Sequence, residues 1–182
     1  MHSKKTNITA LLLALVIALA GCIKNNPPKR ETQKRGFDEK YIKINKQLVT
    51  EYQKIIKAYI KRQGWQMDST GTGMWYEIYE KTGGYIPKDG DKVTIAYKVY
   101  LLNGKLCYSS DSSGVKTFTV NHSAVISGLN DAVQLMPEGS KARFIIPPYR
   151  AYGLTGDGKC VPPNSIIIYD IQLLEVQKAK SH

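Results

Sequence analysis

Apolar positions fall into three patterns along this chain, and each predicts a different kind of element. From Ile8 to Ala20 the residues are almost purely apolar, 13 in succession. Between Asp38 and Gln63 the spacing changes: Ile44, Leu48, Tyr52, Ile55, Ile56, Tyr59 and Ile60 recur at steps of three and four, which predicts one amphipathic helix. Its other face carries Lys43, Lys46, Glu51, Lys54, Lys57, Lys61 and Arg62, and Gly64 is a natural stop. Such a stripe packs on its own domain or on a second copy of itself, so docking and homodimerisation through residues 38–63 both stay open. After the loop Asp68–Gly73 come short runs of alternating or β-branched residues at Met74–Glu80, Lys92–Leu102, Lys116–Val120, Ala142–Ile146 and Ser165–Glu175. These predict strands, separated by turn signals at Gly83-Gly84, Pro87–Gly90, Asn103-Gly104, Pro137–Gly139 and Pro147-Pro148. Asn103-Gly104 suits a hairpin because both residues tolerate positive φ. Ser127–Leu135 predicts a brief helix with Leu129, Ala132, Val133 and Leu135 turned inward. The plan is α+β: an antiparallel sheet wrapped on one short helix, preceded by an N-terminal amphipathic helix.

The first apolar run reads as an address. Lys4 and Lys5 precede it without an acid, and Gly21 and Cys22 follow. A helix of that length spans roughly 20 Å, short of the ~30 Å hydrocarbon core, so a signal peptide fits better than a transmembrane anchor. Leu19-Ala20-Gly21-Cys22 resembles the bacterial lipobox. That resemblance implies lipidation of Cys22, which becomes the mature N-terminus; the alternative is an ordinary secretory signal cut near Ala20.

Composition adds little until charge is placed along the chain. With 182 residues, 42% hydrophobic and 23% charged, the protein has the make-up of one globular domain with appendages. The net charge is +11, but residues 24–62 hold 12 Lys/Arg against 4 Asp/Glu, while residues 63–182 hold 12 against 11. The basic character belongs to an N-terminal arm, which argues against nucleic acid as a partner of the main domain. The tether Ile23–Gly36, with Pro27-Pro28, is attracted to anionic headgroups or serves as a solvating spacer. The expected layout is a signal peptide over 1–21, a lipidated basic tether over 22–36, the helix over 37–66 and the main domain over 67–182.

Several chemistries are absent from the sequence. Thr70-Gly71-Thr72-Gly73 lacks the lysine of a phosphate loop, and Gly156-Asp157-Gly158 has one carboxylate, too few oxygens for calcium. No Cys-x-x-Cys, His-Glu-x-x-His or Gly-x-Ser-x-Gly occurs, and the three histidines are scattered. The expectation is a metal-free, cofactor-free domain. Twelve tyrosines against three phenylalanines suit a pocket with one wet edge.

Over Asp91–Val176 an ordered set of segments carries a resemblance. It comprises Val93-Thr94-Ile95-Ala96-Tyr97, Gly104-Lys105, Ser109-Ser110, Val125-Ile126-Ser127-Gly128-Leu129, Gly139, Arg143-Phe144-Ile145-Ile146-Pro147-Pro148, Ala151-Tyr152-Gly153, Val161-Pro162-Pro163-Asn164 and Ile168-Tyr169-Asp170-Ile171. This stretch resembles an FKBP-type peptidyl-prolyl cis-trans isomerase domain. With the lipobox and helix, the chain is also similar to exported FKBP lipoproteins of Bacteroidetes, including those linked to gliding motility.

The resemblance implies an FKBP-like fold, proline-containing polypeptides as substrates, and folding assistance to exported proteins in the bacterial envelope. It implies anchoring through Cys22, at the outer membrane in preference to the inner. Tyr97, Tyr152 and Ile126 are the implied catalytic residues, the Tyr152 hydroxyl and Ile126 N–H meeting substrate carbonyls. Cys107, Tyr108, Phe118, Val125, Leu129, Val161 and Tyr169 are the implied substrate-binding residues. Departures stand out. Cys107-Tyr108 replaces the family's Phe-Asp, Leu129 its tryptophan, and Lys116 the first aromatic of its Phe-x-Phe pair. The expected pocket is therefore less aromatic on one side and lacks a carboxylate, which leaves a catalytically weak binding module, or a structural envelope lipoprotein, as alternative roles.

By the same resemblance Cys107 sits on the pocket wall and Cys160 in the loop overhanging it. A crosslink needs Cα atoms within about 4.4–6.8 Å. Our expectation is two buried thiols acting as small hydrophobes, with the disulfide as the alternative.

Overall fold

A computed structural model describes residues 30–180, with side chains from residue 41 onward. The apolar run 8–20, Cys22 and the start of the tether lie outside the described residues. The chain divides into two units, Met1–Ile44 and Asn45–His182. In the first, the described backbone is helical and Tyr41, Ile42 and Ile44 are exposed.

Helix α1 is Arg30–Gln63. It begins at Arg30 rather than Asp38 and takes in part of the expected tether. Arg30, Glu31, Gln33, Lys34 and Arg35 are good helix formers, and Gly36 costs only about 1 kcal/mol. With no apolar periodicity there, hydrophobic patterning misses the first turns. At the other end Gly64 adopts φ 68°. Its N–H donates to the Lys61 carbonyl at 3.3 Å, and the Trp65 N–H to the Ile60 carbonyl at 3.2 Å. These bonds satisfy two terminal carbonyls in a glycine-capped end.

Within the second unit, Ile56, Tyr59 and Ile60 of α1 form a cluster with Ile145, Ile166 and Ile168, edged by Tyr52, Trp65, Trp75 and Tyr100. Burying each such side chain contributes roughly 1.5–3 kcal/mol. Gln53 fixes the approach: its Nε2 donates to the Gly73 carbonyl at 2.7 Å, and its Oε1 accepts from Trp75 Nε1 at 2.8 Å. Docking on its own domain thus accounts for this half of the stripe.

The sheet comprises β1 (Asp68–Ser69), β2 (Trp75–Glu80), β3 (Lys92–Leu101), β4 (Leu106–Ser109), β5 (Lys116–Thr119), β6 (Lys141–Ile146) and β7 (Ile167–Gln177). The order is β1-β2-β6-β7-β3-β4, with β5 also paired to β3, and every pairing is antiparallel. Two short helices, α2 (Ser110–Ser113) and α3 (Ser127–Val133), and a 3-10 turn at Pro148–Arg150 complete the α+β fold. β1, β4 and α2 are too short for periodicity to announce. In the β3–β4 hairpin only Gly104 takes positive φ, at 86°. Asn103 acts through its side chain instead, accepting the Lys105 N–H at 3.0 Å.

Alternation along β3 turns Val93, Ile95, Val99 and Leu101 into one core with Phe144, Ile146, Ile171 and Leu173, against Leu129, Ala132 and Val133 of α3. Helix and sheet meet closely at Gly128, where a Cβ would fall 2.5 Å from Ile146 Cγ2 and 2.9 Å from the Arg150 carbonyl oxygen. Register places Tyr76, Phe144, Tyr169, Val99 and Tyr108 in one row across β2, β6, β7, β3 and β4. The candidate site lies at the β4 end of that row.

Candidate functional site

Tyr97, on the inward face of β3, is half-buried, with its ring centroid 6.0 Å from that of Tyr169 on β7. Its N–H donates to Ser110 Oγ at 3.1 Å, and its hydroxyl lies 3.1 Å from Ser113 Oγ. The short α2 therefore holds this tyrosine by both backbone and phenol. Tyr108 enters from β4. Tyr152 enters from the loop after the 3-10 turn and shares a hydrogen bond with Tyr169. These four phenols line an open cavity of about 260 Å³, whose remaining lining residues are Lys116, Asp157 and Lys159.

Asp157 overturns the expectation that the pocket lacks a carboxylate. Its Oδ2 accepts the Tyr108 hydroxyl, and its Oδ1 accepts the N–H groups of Lys159 and Val161, each at 2.9 Å. The carboxylate arrives from the loop opposite the strand where the family carries one, and Tyr108 adds an aromatic beside it. The expectation of two free thiols is overturned as well. Cys107 and Cys160 form a disulfide, with Cα atoms 5.5 Å apart. The loop register was the unknown, and this loop folds back on β4 so that consecutive residues Cys107 and Tyr108 both hold it.

Burial raises the Tyr152 phenol pKa, and the Asp157 charge adds to the effect. Burial likewise raises Tyr169, followed by the neighbouring phenols of Tyr152 and Tyr97. For Tyr108 the hydrogen bond to Asp157 comes first and burial second, raising it to about 12. All three stay protonated at neutral pH and remain hydrogen-bond donors. Burial would raise the Asp157 carboxyl, but hydrogen bonds from Tyr108 and from backbone N–H groups hold it below the ordinary carboxylate range.

The other residues implied by resemblance, Ile126 among them, do not line this cavity and belong to the core that Tyr97, Tyr108, Tyr152 and Tyr169 pack on. Phe118, Leu129 and Val161 are buried in the main core, and Val125 and Ile126 are half-buried against it. Ile126 caps α3, its carbonyl accepting the Leu129 N–H at 3.0 Å. Cys107 is occupied by the disulfide. Nothing in the local sequence marks Lys116 as more than a departure from the family pattern, or Asp157 as more than a turn residue with too few oxygens for calcium. The signal for Asp157 lies in the cysteines: it stands three residues before Cys160, so a 107–160 bond brings it within reach of Tyr108.

A family model described as FKBP-type peptidyl-prolyl cis-trans isomerase matches residues 83–174. The "FKBP-type peptidyl-prolyl cis-trans isomerase FkpA" of Aeromonas hydrophila is 35% identical over 149 residues, covering 81% of this chain and 48% of the relative. "Outer membrane protein MIP" of Legionella longbeachae is 36% identical over 108 residues, covering 59% of this chain and 46% of the relative. The crystal structure of FkpA from Escherichia coli matches with a TM-score of 0.63 at 27% identity, covering 94% of this chain and 83% of that one. The chain spans about half the length of the curated relatives it matches.

Proposed function

This chain belongs to the FKBP-type peptidyl-prolyl cis-trans isomerase family, and from that membership we propose that it catalyses rotation about Xaa–Pro bonds in exported polypeptides. The observation that carries the reading is the convergence of Tyr97, Tyr108, Tyr152 and Tyr169 on one cavity. Rotation about a peptide bond faces a barrier of ~18–20 kcal/mol because resonance must be broken. The two X–Pro isomers differ by only ~0.5–1 kcal/mol, so the difficulty is kinetic. At the twisted geometry charge separation falls, so aromatic faces packed against the bound proline disfavour the planar, more polar ground state. In this reading the Tyr152 hydroxyl and the Ile126 N–H hold the flanking carbonyls and Tyr97 walls the proline, with Phe118, Leu129 and Val161 supporting the site from the core. The rotation uses no cofactor.

The rest of the reading concerns location. Lys4 and Lys5, the apolar run and the lipobox support cleavage before Cys22 and lipidation there, with the domain held at the bacterial envelope. The relative named an outer membrane protein favours the outer over the inner membrane. The same features favour the exported-lipoprotein type, as in the motility-linked Bacteroidetes members. Exposed Leu48 and Val49 on α1 support pairing with a second copy.

The test is a protease-coupled assay on Leu-Pro and Phe-Pro peptides, using the chain from residue 22 with Cys22→Ser. Acceleration is expected, with Tyr152→Phe lowering kcat/KM about tenfold, the scale of one lost transition-state hydrogen bond. Folded protein that gives no acceleration leaves the binding-module role in its place.

A further inference from the structure

We propose that Lys116 and Lys159 make this site selective for prolines flanked by an acidic residue, an inference that rests on the isomerase reading. Both line the cavity. Lys116 stands on β5 with its Nζ 5.9 Å from the Tyr97 ring centroid, and Lys159 is exposed on the loop opposite. Ion pairs engage Lys54 with Glu51, Lys98 with Asp111 and Lys141 with Glu80, while most other lysines of this unit are solvated, so what sets Lys116 and Lys159 apart is their place at the cavity. Among the described residues neither Lys116 nor Lys159 forms an ion pair. The one carboxylate lining the cavity, Asp157, accepts from Tyr108 and from the N–H groups of Lys159 and Val161 and forms no ion pair with either lysine, so two positive side chains stand against one negative one.

The mouth therefore presents two ammonium groups, opposed by the single Asp157 carboxylate, to whatever side chain lies beside a bound proline. A Glu or Asp there gains a charge-assisted contact in partly desolvated surroundings, a Leu gains none, and a Lys is repelled. Each pair at such a mouth is worth a few-fold rather than orders of magnitude, and salt screens it. Lys116 stands where the resemblance implies an aromatic, so a contact that would be apolar is here cationic.

The experiment compares kcat/KM for otherwise identical peptides with Glu-Pro, Leu-Pro and Lys-Pro, and for Pro-Glu and Pro-Lys, in low and high salt. A Glu:Lys ratio of about five to ten is expected at low salt for at least one side of the proline, falling towards one in high salt. In Lys116→Gln/Lys159→Gln the ratio should fall towards one, and in Lys116→Glu/Lys159→Glu it should invert. Ratios within each variant cancel changes in overall activity, and thermal unfolding checks that each is folded. Equal rates for acidic and basic peptides in wild type, or a ratio unmoved by the double substitutions, overturns the proposal. If Leu-Pro turnover is itself undetectable, the isomerase reading fails separately. The same peptides, dye-labelled, are then ranked by fluorescence anisotropy, where Glu above Leu above Lys supports the mouth selectivity and equal affinities overturn it.

Discussion

The Tyr108 hydroxyl donates its hydrogen bond to Asp157 Oδ2 across 49 residues of chain. One residue earlier on the same strand, Cys107 is bonded to Cys160. A covalent tie and a charge-assisted hydrogen bond thus fasten one loop to β4 side by side, and the loop in turn supplies part of the cavity wall.

Asp157→Asn should return the Tyr108 phenol from about 12 towards the ordinary ~10, read by NMR titration of labelled tyrosines. The acid limb has a definite sign. A carboxyl whose folded pKa lies below its unfolded value contributes its full stability above the ordinary value of ~3.9. That contribution disappears as pH falls through the folded pKa. The stability gap between wild type and Asp157→Asn, from urea unfolding, should therefore be wide at neutral pH and narrow in acid. A gap independent of pH would count against the bonding described.

Breaking the disulfide should loosen the loop before the fold fails. For a sequence separation of 53 the chain-entropy account gives about 4 kcal/mol of stabilisation. Cys107→Ser/Cys160→Ser should lower the denaturation midpoint accordingly, and amides around residues 153–161 should gain the most hydrogen exchange. Two titratable thiols in the unreduced, denatured Cys22→Ser chain would contradict the crosslink.

Ile56 is fully buried between α1 and the sheet. Ile56→Ala should cost about 2–5 kcal/mol, whereas Ile55→Ala, on an exposed side chain of the same helix, should cost well under 1 kcal/mol. Equal midpoints for the two variants in urea titration would mean that the helix does not dock in solution.

The anchoring proposal predicts an acylated Cys22 at the mature N-terminus and fractionation with membranes. Mass spectrometry reads both the cleavage point and the added lipid. Cys22→Ser should release the protein or leave the precursor unprocessed, and an unmodified N-terminus cut at another bond discards the anchor.

Sequence patterning served best where one rule governed a long stretch. Alternation in β3 gives the correct inward face, whereas the three-four spacing of α1 marks Ile56, Tyr59 and Ile60 correctly but also takes in Ile55, which is exposed. Ile56, Tyr59 and Ile60 are buried while Leu48 is exposed, although all four share the stripe. Periodicity marks a face but not the length over which something covers it. Tyr97, Tyr152 and Tyr169 were legible through motif resemblance. Asp157 was not, because Gly156-Asp157-Gly158 has the composition of any surface turn, and its role exists only through a partner far away in sequence. The disulfide was legible only as the alternative to two free thiols. Whether two cysteines bond depends on loop register, which local composition does not set.

The 107–160 bond also bears on how the protein can be made. Three cysteines in one chain admit three pairings, two of them wrong. If lipidation occupies the Cys22 sulfur before the domain oxidises, the remaining two thiols have only each other within the molecule. Lipidation at the N-terminus would then remove both wrong pairings before the domain oxidises. A chain whose anchor is added first reaches a single covalent isomer and needs no disulfide shuffling.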